Sequence, residues 1–333
     1  MDAISDSPGA NSFIGSPPIG PADVKAAAAR IGALVRPVTL VAADPGPADR
    51  TSLYLAYEGA QVTGSVNARG AAHFVLYHAE HSALPAAGVV LAALGNGDAA
   101  VAGAWAARET GTAATVFMSE DCDCGLPDLL RRYGAEVRPV RGDFAAAERA
   151  AAHDAEQTGA LLSHAYDNPL VALGLGTLVA QVNDEVGADI DTVLIPVGAG
   201  ALLAGAYAAL EHTGIKVVPV EPAARPTLTA ALRAGVPVEV PGGTLAEDSL
   251  GARRVSQLAL DLARAAGCRP VQVAEEHIAA ARRGLWERRR LAATYGASVA
   301  LAAIESAAYK PDVFERVVVV VGGANTDPAT LGA

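Results

Sequence analysis

The sequence predicts an α/β fold of two lobes facing each other across a cleft, and three observations predict it. Short β-rich runs alternate with longer Ala-rich stretches of helical length, the pattern of parallel strands joined by crossover helices. Two of the runs, 193–197 and 317–321, are unbroken and apolar, as strands covered on both faces are. Glycines stand where strands should end, at Gly95, Gly198, Gly200, Gly322 and Gly323, and in an open α/β sheet ligands bind outside those ends. A chain of 333 residues divides its core between two lobes.

Taken in order, strands are expected at 89–94, 114–118, 137–140, 192–197, 216–220 and 316–321. The runs at 193–197 and 317–321 should be central. Helices are expected at 99–110, 126–133, 143–157, 170–186, 202–213 and 256–266, several of them ending near a glycine. Residues 1–20 are rich in Ser, Gly and Pro and lack the basic region and apolar core of a secretory signal, so they read as a loose arm.

Composition narrows the function. The chain is 51% hydrophobic but 5% aromatic, so Ala, Val and Leu supply the apolar content, and no stretch reaches the ~20 residues of a membrane span. A net charge of −11 argues against nucleic acid, which requires clustered Lys and Arg, and leaves room for a local anion pocket. Three cysteines are too few for a disulfide framework, which fits a reducing compartment, and the cytoplasm is the expected address. Cys122-Asp-Cys124 lacks zinc-ribbon spacing, and His78 and His81, three apart on one helix with His73, find no third ligand, so no metal is expected.

The segment Gln61-Val-Thr-Gly-Ser-Val-Asn-Ala-Arg-Gly-Ala71 resembles the lysine segment of the threonine/serine dehydratase-like family of pyridoxal-phosphate (PLP) enzymes, in which Thr-Gly-Ser-Phe-Lys precedes a variable residue and Arg-Gly-Ala. Gly95-Asn96 resembles that family's Ser-x-Gly-Asn-His loop, and 196–202, Pro-Val-Gly-Ala-Gly-Ala-Leu, resembles its glycine-rich phosphate cradle. Val220-Glu-Pro222, the stretch 246–254 and Gly323-Ala-Asn-Thr-Asp-Pro328 complete the series in the same order, from about Arg36 to the C-terminus. The resemblance implies PLP fold type II, with a larger domain of residues 1–83 and 165–333, a smaller inserted domain of 84–164, and a homodimer.

It also implies a pocket of Ser65, Asn67, Asn96, Gly198, Ala199, Gly200, Ala201 and Gly322, in which the chemistry has changed. Asn67 stands where the family has its lysine, and a carboxamide cannot bond the cofactor's aldehyde as a primary amine does. The three lysines of the chain, Lys25, Lys216 and Lys310, belong to no cleft motif. Ala93 and Gly97 replace the Ser and His of the loop, and Asp98 follows where a small neutral residue is usual. Gly322 replaces the partner of the pyridine nitrogen, Ala293 replaces a cleft glutamate, and Tyr295 is new beside it. Ala199 and Ala201 interrupt a glycine run, where a positive φ would cost ~1 kcal/mol or more. Glu221 resembles a cation ligand of some relatives, but Thr227 occupies the position of its acidic companion, so no cation is expected there. So many departures at once point to divergence rather than to a single trapping substitution.

The resulting expectation is an enzyme of lyase or isomerase type that works without PLP on a small polar or anionic metabolite in the cleft, with Asn67, Asp98 and Tyr295 as candidate catalytic residues. No cofactor is expected, with non-covalent PLP or another anion as the alternative. A non-catalytic member that binds a ligand or an active homologue explains the same losses, and a conventional PLP lyase ranks third.

Overall fold

The computed structural model describes residues 19–43, 52–122, 125–164, 166–186 and 190–332. The expected arm at 1–20 lies outside the described residues except for Ile19 and Gly20, and Cys124 lies outside them too.

The chain enters through α1 (Pro21–Ile31) and an antiparallel pair, β1 (Thr39–Ala42) and β2 (Ser52–Tyr57). α2 (Asn67–Glu80) leads to a compact run of β3 (Val89–Ala92), α3 (Asp98–Glu109), β4 (Ala114–Ser119), α4 (Gly125–Arg132), β5 (Glu136–Val140), α5 (Phe144–Thr158) and β6 (Leu161–Leu162). These four strands form one parallel sheet in the order β5-β4-β3-β6, built wholly from residues 89–162.

The rest of the chain returns to the strands that began it. α6 (Pro169–Val186), β7 (Thr192–Pro196), α7 (Ala201–Leu210), β8 (Lys216–Pro222), α8 (Thr227–Ala234), α9 (Glu247–Leu250) and α10 (Gln257–Ala265) come first. β9 (Val271–Val273), α11 (Glu275–Arg289), α12 (Tyr295–Glu305), β10 (Arg316–Val321) and a 3-10 turn at Pro328–Thr330 follow. The second sheet has six strands in the order β1-β2-β10-β7-β8-β9, parallel throughout except for β1.

β10 and β7 take the two middle positions, and their burial explains the unbroken apolar runs. Side chains alternate between the two faces of a strand. Val318 and Val320 of β10 enter the core beneath α2, α6, α7 and α10, whereas Val317, Val319 and Val321 enter the core beneath α11 and α12. A strand with a hydrophobic layer on each side has no polar face to reveal.

α6 and α7 pack at backbone distance. A Cβ added at Gly205 would collide with the Ala172 carbonyl, and one at Gly176 would collide with the Gly205 carbonyl, so only glycine fits at either crossing point. α2 is anchored by a buried ion pair: Arg69 grips Glu58 with Nε and Nη2, both at 2.8 Å, and both side chains are at most 3% exposed. Gln61, Thr177, Gln181 and the Arg36 carbonyl complete the network. Among the described residues no helix is long and apolar enough to cross a membrane.

Candidate functional site

Three strand ends, those of β3, β7 and β10, open onto one cleft of about 140 Å³, lined by Asn67, Asn96, Asp98, the 198–202 loop, Ser249 and Gly322–Gly323. The loop between β7 and α7, with the start of that helix, contributes five of the lining residues, 198–202. Gly200 is the N-cap of α7 with φ +91°, the left-handed conformation that glycine adopts without strain. Neither Ala199 nor Ala201 has a positive φ, which resolves the sequence question: the loop keeps one left-handed position, and it is a glycine. The first N–H groups of α7 have no acceptor within the helix and carry the positive end of its dipole, so the loop can hold an anion. Two bonds brace it, from Thr227 Oγ1 to the Gly198 carbonyl at 2.6 Å and from Ser256 N to the Ala199 carbonyl at 2.8 Å.

A carboxyl lines the same cleft. Asp98 begins α3, is only 6% exposed, and accepts a 2.6 Å hydrogen bond from Asn325 Nδ2 at Oδ1. Asn96 Oδ1 accepts from the Asp98 N–H at 3.1 Å, and Asn96 Nδ2 donates to the Asn325 carbonyl at 3.1 Å. Burial pushes the Asp98 pKa up from 3.8 to about 7; the Asn325 and Asn96 contacts oppose the rise, and the neighbouring Asp248 charge adds to it. An Asp that faces the cleft would repel a bare carboxylate there, the outcome that sequence reasoning attached to this position.

Asn67 also lines the cleft, as the first residue of α2, with Nδ2 3.5 Å from Ser65 Oγ. Ser65 is buried and bridges to Gly323, so the segment before Asn67 is stitched to the end of β10. Gly322 leaves open space: a Cβ there would meet only Val66 Cγ1, at 3.6 Å. Of the three candidate catalytic residues, Tyr295 does not join the other two. Its ring lies under the Arg282 guanidinium, 4.4 Å from the ring centre, and its N–H donates to Asp248 Oδ2, while the adjacent Gly296 and Ala297 line the cleft instead. Among the described lining residues Asp98 is present and Tyr295 is not. Ala293, in the place of the lost glutamate, is fully buried, with its carbonyl bound by Arg282 Nε.

Three polar residues that reach the site had no role in the sequence reading. Asn325 orients Asp98, and Asp248 ties the cleft loop to α12 through the N–H groups of Tyr295 and Gly296. Tyr166 lines the cleft, with burial first and Glu148 second pushing its phenol up to about 12. The first two lie within stretches that carry the family resemblance, which was the available signal.

The remaining candidates have structural partners. Glu221 caps α8, accepting from Leu228 N at 2.6 Å and from Thr229 N and Oγ1 at 3.0 and 2.7 Å. His73 is buried between the Leu170 carbonyl at Nδ1 and Arg30 Nη1 at Nε2, which fixes the Nδ1–H tautomer, and desolvation takes its pKa to about 4. His81 stacks on Tyr77, and His78 meets Phe74 edge-on. Among the described residues no three His, Cys, Asp or Glu side chains converge on a metal-sized space.

Comparison with known proteins agrees with this architecture. The model of a family described as "Pyridoxal-phosphate dependent enzyme" matches residues 33–323. L-threonine ammonia-lyase of Geobacter sulfurreducens is 33% identical over 281 residues, covering 84% of this chain and 68% of that one. Phenylserine dehydratase of Ralstonia pickettii is 30% identical, with 86% of each chain covered. The crystal structure of a threonine deaminase from T.th. superposes with a TM-score of 0.80 at 30% identity, covering 92% of this chain and 99% of that one.

These findings correct the expectation that no cofactor is needed: a PLP-dependent family and its dehydratase members make PLP the cofactor to expect. The site fits that molecule in part. The first turn of α7 suits its phosphate. Its aldehyde, in contrast, would find no amine: among the described lining residues Asn67 is present and no lysine is. Lys25 lies on α1, Lys216 begins β8 with Nζ over the Tyr309 ring, and Lys310 follows α12.

Proposed function

Because the chain belongs to the pyridoxal-phosphate dependent enzyme family, in its threonine/serine dehydratase-like branch, we propose that it is a divergent enzyme of lyase or isomerase type, one that converts a small polar or anionic metabolite in this cleft and holds its cofactor without a bond to lysine. The observation that carries this reading is Asn67 at the start of α2, in a cleft that the first turn of α7 also lines. PLP, when bound, supplies an electron sink for a substrate carbon.

The residues of the chain do the rest. The N–H groups of α7 bind and orient an anion. Asn67 and Asn96 offer carboxamides to polar groups of the metabolite, and Asp98 is the cleft group that holds or releases a proton near neutrality. The absence of an amine at position 67 also favours a second reading, a member that binds a ligand without turning it over.

The test combines three measurements on the purified protein: retention of PLP on dialysis, intact mass after borohydride reduction, and turnover of a panel of hydroxy amino acids and other small anions. Reversible PLP binding without a borohydride-stable adduct, together with turnover lost in Asn67→Ala and Asp98→Ala, is the expected result. Asn67→Lys should acquire a reducible adduct at residue 67. An adduct on a lysine of the unaltered chain that is required for turnover would overturn the proposal, and binding without turnover would establish the second reading.

A further inference from the structure

We infer that the cleft is built for a ligand with two poles, a phosphate at the first turn of α7 and a protonated nitrogen at Asp98 Oδ2; among pyridoxal-type phosphates that nitrogen is the one in the ring. The inference rests on the proposed function for the phosphate end and adds the chemistry of the other end.

Four observations carry it. Asp98 is the only charged side chain among the described residues that line the cleft, so no Lys or Arg of the cleft wall neutralises it. It is almost fully buried, and a buried carboxylate is costly unless a positive partner accompanies it. One oxygen, Oδ1, is committed to Asn325. The other, Oδ2, lies against the turn that ends β10, 3.4 Å from where a Cβ of Gly323 would stand and beside the open space at Gly322. One cleft is therefore lined both by N–H donors, at the first turn of α7, and by an acceptor, Asp98 Oδ2, with no cation of the cleft wall beside it. A carboxylate beside the ring nitrogen is a recognised way for proteins to tune a pyridoxal cofactor.

The proton balance is simple. The other acidic group near Asp98 is Asp248, which disfavours the ionised form further, so without a ligand Asp98 retains a proton up to about pH 7. A ligand with a neutral ring nitrogen takes that proton, the Oδ2–H bond breaks as the N–H bond forms, and a pyridinium–carboxylate pair remains. A nitrogen that arrives protonated meets an Asp98 that has released its proton to solvent. Either route ends in the same pair, with Asn325 holding the carboxylate and Asn96 holding the Asp98 N–H and the Asn325 carbonyl.

The experiment is calorimetric titration of the full chain, unaltered and as Asp98→Asn, with three probes: pyridoxine 5′-phosphate, its analogue with CH in place of the ring nitrogen, and inorganic phosphate. None of them has an aldehyde to react with surface lysines. The unaltered protein should bind pyridoxine 5′-phosphate about tenfold to a hundredfold more tightly than the CH analogue, the range for a charge-assisted hydrogen bond. In Asp98→Asn this preference should shrink severalfold while inorganic phosphate binds as before, which also shows that the variant is folded. Equal affinity of the two ring compounds for the unaltered protein, a comparison that needs no variant, overturns the role of Asp98 and leaves the proposed function standing. Failure of all three probes to bind removes the anion cradle, and with it both the proposed function and this inference.

Discussion

Replacement of Arg69 by Met should destabilise the protein severely, and the structure gives the scale. The guanidinium makes two 2.8 Å bonds to Glu58 and further bonds to Thr177, Gln181 and the Arg36 carbonyl. Both partners of the ion pair are buried, so Arg69→Met leaves the Glu58 carboxylate with neither water nor a counter-ion. Breaking such a pair on one side costs about 3–5 kcal/mol. Urea unfolding followed by the fluorescence of Trp105 and Trp286 is the assay; at a slope of about 3 kcal/mol per molar, the midpoint should fall by roughly 1–1.7 M. The double variant Glu58→Gln/Arg69→Met removes the stranded charge and should recover part of the loss. A loss below ~1 kcal/mol in Arg69→Met, or a double variant less stable than the single one, would refute the reasoning.

Three other perturbations have defined outcomes. The folded-state pKa of Asp98, about 7, lies above its unfolded value of 3.8, so the folded protein binds the extra proton between them and loses stability as pH rises through that window; Asp98→Asn should gain on the unaltered protein from pH 4 to 7 and level off above, as read by unfolding titrations. Glu221→Ala removes the cap of α8 and, because burial already raises the carboxyl's pKa and offsets some of its bonds, should cost about 2 kcal/mol; since Thr227 of that helix braces Gly198, inorganic phosphate should also bind more weakly in calorimetry. Gly205→Ala forces α7 away from the Ala172 carbonyl and should cost about 3 kcal/mol or more by thermal unfolding.

The central strands were legible because burial on both faces leaves an unbroken apolar run, as in 317–321. β2 and β1 were not: β2, Ser-Leu-Tyr-Leu-Ala-Tyr, is only partly covered and draws its order from register with β10, a partner more than 250 residues away. α11 escaped notice because its buried positions Ile278, Ala281 and Leu285, correctly spaced for a helix, are embedded among Glu and Arg. At the site, the motifs located Asn67, Asn96 and Asp98 in one cleft. They failed at Tyr295, whose neighbours in sequence line the cleft while its own ring turns toward Arg282. The direction of a side chain at a helix start depends on tertiary contacts that adjacency in sequence does not encode.

The way the loop at 95–98 is held has a kinetic consequence. The Asn96 N–H donates to the Asp248 carbonyl at 2.6 Å, its carboxamide donates to the Asn325 carbonyl, and Asn325 in turn holds Asp98, so the loop after β3 is sewn to two segments that belong with the other sheet. A ligand arriving at this seam finds its polar contacts already in place and loses little entropy in ordering them. Any movement that separates the two sheets at the cleft must break these bonds together. If entry requires that movement, the observed association rate will rise with ligand concentration and then level off at the opening rate of the seam, and a substitution at Asn325 will raise the plateau.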